Sequence, residues 1–314
     1  MGYILLCGCF FVLPTPVVCT YNSFVMDILL KEKLKKIRCV LFDLDGTLMH
    51  AHPTFISRYS ADVLNALQDK GYYVGFSTGR ALTSLGFLLK PVGLRTNTLS
   101  IGCAGAEIGP AGEAPGHAVF LRPFPQDTLV EMLDTALGFG LRFSLDAHGT
   151  LYTSCDLEYF DTYMGNYRRA QDLDVFFPEP TPVPAEELAR VADGTVMKPM
   201  LWFDDLEQFR LMEPWFAKHP ELHYQSSGFN LMEVQTNDIS KAAALEMLTS
   251  RLGIRPEECC VFGDSENDLP ILRTAGLSVA MINGFDITKQ TSDLITEYTN
   301  QEDGAARTAE KLFL

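Results

Sequence analysis

In Ile37-Arg-Cys-Val-Leu-Phe-Asp-Leu-Asp-Gly-Thr-Leu48, an apolar run ends abruptly at two carboxylates and a glycine. This pattern is typical of a buried strand that delivers Asp43 and Asp45 to its carboxyl end. The two side chains project to the same side, because side chains alternate along extended backbone, and Gly46 allows the chain to turn away. Two like charges this close need a cation or a shared proton. We therefore predict a functional site at this strand end, where open α/β sheets bind their ligands.

Strand and helix patterns alternate after this stretch, and they resume near the end of the chain. Such alternation indicates a parallel sheet with right-handed crossovers. The predicted strands are 37–42, 72–77, 98–102, 259–262, 277–281 and 293–296, and the predicted helices are 57–70, a segment ending at 89, and 240–252.

The middle of the chain differs in its pattern of turn residues, strands and helices. Residues 109–116 read Gly-Pro-Ala-Gly-Glu-Ala-Pro-Gly, a density of turn residues that indicates a domain boundary. Locally paired strands with interspersed helices then predict an α+β insertion of roughly 115 residues, which is large enough for its own core. The predicted strands are 119–122, two around a turn at 148–149, 196–203, 222–225 and 230–235; the helices are 125–139, 186–191 and 206–216; and 178–184 is a proline-rich connection. The predicted domains are an N-terminal extension (1–36), the first part of the core (37–112), the insertion (113–235) and the second part of the core (236–314).

Composition narrows the possible partners and cell compartment. The 314 residues are 47% hydrophobic, enough for a sizeable core, and the formal net charge is −15. An acidic surface of this kind argues against a nucleic-acid backbone or an anionic membrane as partner. The 8 cysteines include no C-x-x-C pair, so they predict reduced thiols in a cytoplasmic protein rather than a zinc site or a disulfide framework.

Residues 1–25 are apolar but carry no Lys or Arg ahead of the apolar run, which Pro14 and Pro16 end early. The run is too short to span a bilayer. One interpretation is that Met26 is the physiological start or that these residues form a disordered extension. The other is a cryptic export or anchoring signal.

Further polar residues follow other strands or begin helices on the core half of the chain. Thr78 and Gly79 end the second strand, and Asp264, Asn267 and Asp268 follow a later one. A cation at the first position of a helix opposes the helix macrodipole, so Lys241 indicates an anion bound nearby.

Taken singly, each of these residues has an ordinary structural interpretation. Thr78 is a helix cap, Lys241 is a solvated residue, and Asp268 is an N-cap ahead of Pro270. A calcium loop would need Glu at its twelfth position, which counted from Asp43 is Thr54. The set as a whole would place carboxylates, a hydroxyl and an ammonium at one sheet edge.

This ordered set resembles the haloacid dehalogenase superfamily of phosphohydrolases, and more narrowly the Cof-type sugar phosphatases. The matching motifs are Asp43-x-Asp45-Gly-Thr47-Leu48, Ser77-Thr78-Gly79-Arg80, Lys241 and Gly263-Asp264-x-x-Asn267-Asp268, and the closing segment 279–304 is also similar. The resemblance implies an α/β fold in which a Rossmann-like parallel-sheet core carries an inserted α+β cap of type IIB. One departure is visible: members commonly have Asn-Gly-Ala after the third strand, and here Ala104 stands in place of that Asn.

The resemblance implies a Mg²⁺-dependent phosphatase that hydrolyses small phosphorylated metabolites through an aspartyl-phosphate. Asp43 would be the nucleophile and Asp45 the general acid and base. Mg²⁺ would be held by Asp43, the backbone carbonyl of Asp45 and Asp264. The remaining implied roles are phosphate and substrate binding by Thr78, Gly79, Arg80, Lys241 and Asn267, with Asp268 fixing Lys241.

The insertion is expected to close over this site and to bind the leaving group. Arg80, His148 and Asn230 are the candidates for contacting it. The aromatic residues of the insertion are interpreted as packing residues: Tyr152, Tyr159, Tyr163, Trp202 and Phe229.

Three alternatives remain open at this point. A phosphomutase of the same superfamily would return the phosphoryl group to a sugar. A non-catalytic phospholigand-binding protein would normally have lost Asp43 or Asp45. A Rossmann-type nucleotide-binding domain would carry a G-x-G-x-x-G loop after the first strand, which is absent from the sequence.

Overall fold

The computed structural model describes residues 28–51, 54–95, 98–147, 149–156, 161–191, 193–226 and 230–314. The chain divides into two units, residues 1–36 and residues 37–314. In the first unit, helix α1 spans 28–34. All elements named below belong to the second unit.

The strands of the second unit are short, and most of them are buried. They are β1 (Cys39–Phe42), β2 (Tyr73–Phe76), β3 (Leu99–Gly102), β4 (Glu107–Pro110), β5 (Phe120–Leu121), β6 (Arg142–Ala147), β7 (Thr150–Thr153), β8 (Glu179–Pro182), β9 (Lys198–Trp202), β10 (Leu222–Ser226), β11 (Leu231–Thr236), β12 (Cys259–Gly263), β13 (Leu277–Ala280) and β14 (Leu294–Ile295).

Helices connect these strands and cover the sheets. They are α2 (Arg58–Asp69), α3 (Gly86–Leu89), α4 (Gln126–Gly138), α5 (Asp161–Asp172), α6 (Leu188–Val191), α7 (Leu206–Arg210), α8 (Glu213–Phe216), α9 (Lys241–Leu252), α10 (Leu269–Thr274), α11 (Asp286–Thr291) and α12 (Gly304–Phe313). Among the described residues, no helix combines the length and apolarity needed to cross a bilayer.

A five-stranded parallel sheet forms the core, in the order β14-β13-β12-β1-β2. Strand β1 is fully buried between β12 and β2, which explains its uninterrupted apolar sequence. The Phe42 and Phe262 rings stack with centroids 4.7 Å apart, which fixes the register of these two strands. Because all five strands run the same way, their carboxyl ends meet at one edge. The predicted α/β fold is confirmed.

Strand β3 differs from the prediction. Beside β2 it forms one backbone bridge, between Ser77 and Ile101, and side-chain hydrogen bonds through Ser100 and Tyr73, whereas it pairs along its length with antiparallel β4. A tight turn at residues 103–105 reverses the chain directly after β3. Since β4 in turn pairs with β5, these strands form a separate three-stranded sheet beside the core.

The insertion contains a six-stranded sheet in the order β10-β11-β9-β6-β7-β8. One face packs against helices α4 and α6–α8, through a core that includes Phe143, Leu145, Leu201 and Val234. The other face carries polar residues and is turned toward the core, as the contacts of Lys198 described below show.

Three elements of the insertion depart from the predicted pattern. The proline-rich connection contains strand β8, which includes Pro180 and Pro182 and lies at the edge of the sheet. Proline has no N–H to donate between strands, and an edge strand is where a sheet tolerates it. Helix α5 was not predicted. The single helix expected at 206–216 is split into α7 and α8, with Pro214 in the first turn of α8.

Candidate active site

The candidate active site lies at the edge where the carboxyl ends of the parallel strands meet, which we call the catalytic edge. Asp43 and Lys241 form its centre. Asp43 follows β1, and its backbone N–H donates to the carbonyl of Phe262 at 2.9 Å. Lys241 Nζ lies 2.8 Å from Asp43 Oδ1 and 2.6 Å from Asp268 Oδ1, and only 1% of the lysine side chain is exposed. Burial would lower the pKa of Lys241, but the carboxylates of Asp268 and Asp43 outweigh it and hold that pKa above its usual value. The lysine is therefore a fixed cation between two carboxylates.

The start of α9 places Lys241 there. Ser240 caps the helix by accepting a hydrogen bond from the N–H of Ala243 at 3.1 Å. The turn after β3 packs directly on this cap: a Cβ on Gly105 would lie 2.3 Å from the carbonyl oxygen of Ser240. The unfavourable cation at a helix start is thus compensated by two buried carboxylates.

Asp268 orders the lysine and the loop that carries Asp264. Its Oδ2 accepts hydrogen bonds from the N–H groups of Asp264 and Ser265 at 3.0 and 3.2 Å, and its Oδ1 accepts from Lys241. Because both oxygens are engaged, Asp268 acts as a support. The hydroxyl of Thr47, which belongs to the first motif but was given no role from the sequence, donates to Asp264 Oδ1 at 2.8 Å.

The carboxylates at this edge suit a divalent cation. Oxygens of Asp43, Asp264 and Asp268 all lie within 4.8 Å of one another. Burial, together with Asp268, raises the pKa of Asp264 to about 7. Burial also raises the pKa of Asp43 despite Lys241, with Asp268 and Asp264 adding to the rise. One ammonium does not offset this much negative charge, and an all-oxygen donor set is what Mg²⁺ prefers.

Gly46 shapes the metal-binding side of the site. Asp45 (φ −72°, ψ 120°) and Gly46 (φ 79°, ψ −7°) adopt the dihedral angles of a type II turn, which requires positive φ at the second position. A Cβ on Gly46 would lie 2.4 Å from Asp264 Oδ2. The glycine therefore supplies both the turn and the space for the Asp264 carboxylate.

Gly46→Ala is expected to lower the free energy of unfolding by about 1–2 kcal/mol through left-handed strain alone. It also displaces Asp264, and a shift of about 1 Å in a catalytic group costs on the order of 10²-fold in rate. Urea unfolding and kcat with excess Mg²⁺ measure the two effects. Gly71→Ala is the matched control, because Gly71 has φ 92° with open space around it. Equal activity of the two variants would contradict the role assigned to Gly46.

Arg80 holds Asp45 in a bidentate pair. Its Nε and one terminal nitrogen lie 2.7 Å from the two carboxylate oxygens. Burial would raise the pKa of Asp45, but the guanidinium outweighs it and lowers that pKa. Each oxygen of Asp45 thus accepts one hydrogen bond from Arg80 and keeps a lone pair for a second partner.

Thr78 and Gly79 lie where the core meets the insertion. Thr78 is fully buried, and its Oγ1 accepts from the N–H of Arg80 at 3.1 Å. The carbonyl of Gly79 accepts from Lys198 Nζ at 2.7 Å. Asn267 Oδ1 accepts from the hydroxyl of Ser265 at 2.7 Å, on the side of the site that carries Asp264.

The sequence model of the haloacid dehalogenase-like hydrolases matches residues 40–308. The chain belongs to this family. The Bacillus subtilis 5-amino-6-(5-phospho-D-ribitylamino)uracil phosphatase YcsE is 30% identical over 271 residues, which cover 86% of this chain and 94% of that protein. A second B. subtilis 5-amino-6-(5-phospho-D-ribitylamino)uracil phosphatase, YitU, is 27% identical over 87% of this chain and 97% of its own length.

Solved structures agree on the fold of this hydrolase. A subclass IIB sugar phosphatase of the haloacid dehalogenase superfamily superposes with a TM-score of 0.71 at 21% identity, covering 87% of this chain and 98% of its own. A haloacid dehalogenase-like hydrolase from B. subtilis gives 0.74 at 22% identity, covering 87% and 99%. The match to the family model and the phosphatases among the relatives confirm the predicted superfamily and enzyme class.

Two groups of residues in the insertion were singled out from the sequence: Asn230 and His148 as candidates for contacting the leaving group, and five aromatic residues as packing residues. Asn230, just before β11, donates to the carbonyl of Asp204, just after the neighbouring strand β9, at 2.8 Å. Trp202 bonds Ser144 through its indole N–H at 3.0 Å, and Tyr163 bonds the carbonyl of Pro178 at 2.8 Å. Tyr152 packs against the core of the insertion. His148, Tyr159 and Phe229 lie outside the described residues.

Sequence reasoning missed a buried ion pair of the insertion. Lys198 Nζ lies 2.6 Å from Glu233 Oε1, with 6% and 10% of the two side chains exposed. Each of the two strand segments contains one charged residue, Lys198 or Glu233, among apolar or uncharged neighbours. This pattern does not reveal the pair, because the partners are 35 residues apart and meet only through the sheet.

The turn at the departure from the family pattern is strained. Cys103 (φ 47°) and Ala104 (φ 55°) are consecutive non-glycine residues in the left-handed region, and both are buried. Asn populates this region more readily than Ala does. Ala104 in place of the family's usual Asn therefore makes the left-handed backbone of this turn less favourable, and it also removes the side-chain amide.

Ala104→Gly is expected to raise the free energy of unfolding by roughly 0.5–1 kcal/mol, since relief of left-handed strain exceeds the added entropy of the unfolded chain. Urea denaturation measures the change. Ala61→Gly, inside α2, should have the opposite sign, about 1 kcal/mol destabilising. If both substitutions destabilise equally, the turn stores no strain.

Proposed function

We propose that this hydrolase is a Mg²⁺-dependent phosphatase of small phosphorylated metabolites that works through an aspartyl-phosphate on Asp43. The observation that carries the proposal is the buried Asp43 carboxylate at the end of β1, fixed by Lys241 at 2.8 Å and flanked by Asp264. A nucleophile held in this way requires little reorganisation before attack.

The two carboxylates after β1 take different roles in two chemical steps. In the first, an oxygen of Asp43 attacks phosphorus, the bond to the ester oxygen breaks, and the departing alkoxide takes a proton from Asp45. In the second, Asp45 removes a proton from water as the water oxygen attacks the same phosphorus. Inorganic phosphate leaves and the Asp43 carboxylate is restored.

Mg²⁺ would be held by Asp43, Asp264 and the backbone carbonyl of Asp45. When bound, it supplies positive charge that lets a carboxylate approach an anionic phosphate. Asp268 and Thr47 keep the surrounding side chains in place through the hydrogen bonds given above.

Residues on the other side of the site would hold the phosphoryl group. The hydroxyl of Thr78 and the ammonium of Lys241 would bind the phosphoryl oxygens, on which negative charge spreads in the transition state. Gly79 leaves room for this approach, and Asn267 lies on the Asp264 side of the site. Arg80 would release Asp45 and turn to the incoming substrate anion.

The substrate proposed first is a phosphate monoester of a polyhydroxylated chain. Two B. subtilis relatives at 30% and 27% identity are named 5-amino-6-(5-phospho-D-ribitylamino)uracil phosphatases. That flavin precursor is therefore the first metabolite to assay, followed by hexose and pentose phosphates.

The test is phosphate release from a panel of phosphorylated metabolites and from p-nitrophenyl phosphate, with Mg²⁺ and with EDTA. We expect release with Mg²⁺ and at least about a hundredfold loss on chelation. Isomerised sugar phosphate without free phosphate would indicate a mutase. Absence of turnover on every compound, including the aryl phosphate, would refute the proposal.

A further inference from the structure

The segment directly after β13 contacts two loops of the candidate active site. The side-chain amide of Asn283 donates to the carbonyl of Gly46 at 2.8 Å. Two residues further on, the backbone N–H of Phe285 donates to the carbonyl of Asp264 at 2.8 Å. A Cβ on the intervening Gly284 would lie 2.7 Å from that same carbonyl oxygen, so the two backbones are in close contact. Three consecutive residues thus contact both the turn at Gly46 and the loop that carries Asp264.

A second asparagine orients the first. The backbone N–H of Asn300 donates to Asn283 Oδ1 at 2.9 Å, so the amide of Asn283 is held at its oxygen as well as at its nitrogen. The side chain of Asn300, which is 7% exposed, donates to the carbonyl of Met49 at 2.8 Å. Gly46 and Met49 are the middle and the end of the loop that follows Asp43. We refer to Asn283 and Asn300 as the asparagine clamp.

The loop held by the asparagine clamp contains the Asp45 carbonyl that is proposed as a Mg²⁺ ligand. That carbonyl belongs to the peptide bond between Asp45 and Gly46, so a fixed Gly46 limits rotation of the peptide that carries it. Thr47 in the same loop donates to Asp264 Oδ1 at 2.8 Å. The loop and Asp264 are therefore joined twice, through Thr47 and through the segment that begins at Asn283.

The residue type at position 283 fits this bridging role. One planar amide provides a donor for a carbonyl and an acceptor for an N–H. A carboxylate would provide no donor, and a lysine would provide no acceptor. Either would also change the charge beside a group of carboxylates that a cation must balance. Asn283 joins two backbone segments without adding such a charge.

We propose that the asparagine clamp positions the Mg²⁺ site, holding the Asp45 carbonyl at the spacing from Asp264 that the cation requires and thereby setting the affinity for Mg²⁺. Mg²⁺ demands near-ideal octahedral geometry. Groups that orient metal ligands typically contribute about 10–100-fold to metal affinity or activity. Neither asparagine is itself a ligand of the metal or of the phosphoryl group in this proposal. The inference rests on the proposed function and on its metal site.

The experiment measures Mg²⁺ binding to the full-length protein by isothermal titration calorimetry without substrate, in the wild type and in Asn283→Ala. We expect the dissociation constant to rise about tenfold, because the turn at Gly46 loses its side-chain donor. Asn283 is exposed, so the variant should fold. With p-nitrophenyl phosphate, the Mg²⁺ concentration for half-maximal rate should rise about tenfold, while kcat at saturating Mg²⁺ stays within about twofold of the wild type.

Two further variants keep the test decisive. Asn65→Ala is the matched control, because Asn65 on α2 also donates from its amide to a glycine carbonyl, that of Gly93 at 3.0 Å. Its Mg²⁺ dissociation constant should equal that of the wild type. Asn300→Ala removes the donor to Met49 but keeps the backbone N–H that orients Asn283. It should also weaken Mg²⁺ binding, and its thermal midpoint should fall because a buried carbonyl loses its donor.

The remaining outcomes count against the inference. An unchanged dissociation constant in Asn283→Ala, an equal rise in Asn65→Ala, or a wild type that does not bind Mg²⁺ would each overturn it. A fall in kcat at saturating Mg²⁺ with unchanged binding would place the effect on the chemical step instead. A failure of the proposed function is a separate result, in which the wild type binds Mg²⁺ but releases no phosphate from any compound. The calorimetric comparison would then still decide the role of the asparagine clamp.

Discussion

Asp43→Asn is expected to reduce turnover by roughly 10⁴-fold or more, because the amide cannot form the aspartyl-phosphate. The residue is isosteric, and its oxygen can still accept from Lys241. The loss should appear in kcat for every substrate of the panel, whatever the leaving group. Rapid-quench experiments should show no phosphorylated protein.

The fold of Asp43→Asn should survive. Burial raises the pKa of Asp43, so its ionised form costs free energy in the folded protein that a neutral amide does not. Lys241 keeps its 2.6 Å contact with Asp268. We expect the thermal midpoint to stay within roughly 5 °C of the wild type.

Asp62→Asn on the surface of α2 is the control and should retain full activity. Hydrolysis of p-nitrophenyl phosphate by the folded Asp43→Asn variant at a near wild-type rate would rule out Asp43 as the nucleophile.

Lys241→Met is expected to damage both stability and catalysis. The substitution leaves Asp43 and Asp268 buried without their shared cation, and breaking a buried pair in this way costs about 3–5 kcal/mol. Urea unfolding followed by far-UV circular dichroism measures the loss. Turnover should fall as well, because Asp43 loses its positioning contact and the phosphoryl group loses a cation.

Two comparisons isolate the origin of that loss. Lys311→Met removes a lysine whose ion pair with Glu297 is mostly exposed, and exposed pairs contribute only about 0–1 kcal/mol. Combining Lys241→Met with Asp268→Asn should recover part of the stability, since one uncompensated charge disappears. If Lys241→Met is no more harmful than Lys311→Met, the buried triad contributes nothing to the fold.

The strand-end residues could be predicted because their signal is local. Asp43, Asp45, Thr78 and Asp264 each follow an apolar strand, and the carboxyl ends of parallel strands meet at one edge. Lys241 was recognisable because its charge is unfavourable at a helix start. The structure brings Asp43, Lys241, Asp264 and Asp268 together.

The contacts between the core and the insertion could not be predicted in the same way. The Lys198–Glu233 pair and the bond from Lys198 to Gly79 join residues 35 and 119 positions apart. The bidentate grip of Arg80 on Asp45 likewise depends on how two loops meet. Nothing in local spacing distinguishes these charged residues from solvated ones.

The sequence by itself determined the parallel core, the catalytic edge and the class of chemistry. Those features follow from hydrophobic periodicity and from residues placed next to strand ends. Only the tertiary structure decided that β3 turns back at Cys103, that Asp45 is held by Arg80, and that Asn283 reaches the turn at Gly46. Strand pairing and charge burial depend on which distant segments pack together, and that is a property of the whole fold rather than of any stretch of residues.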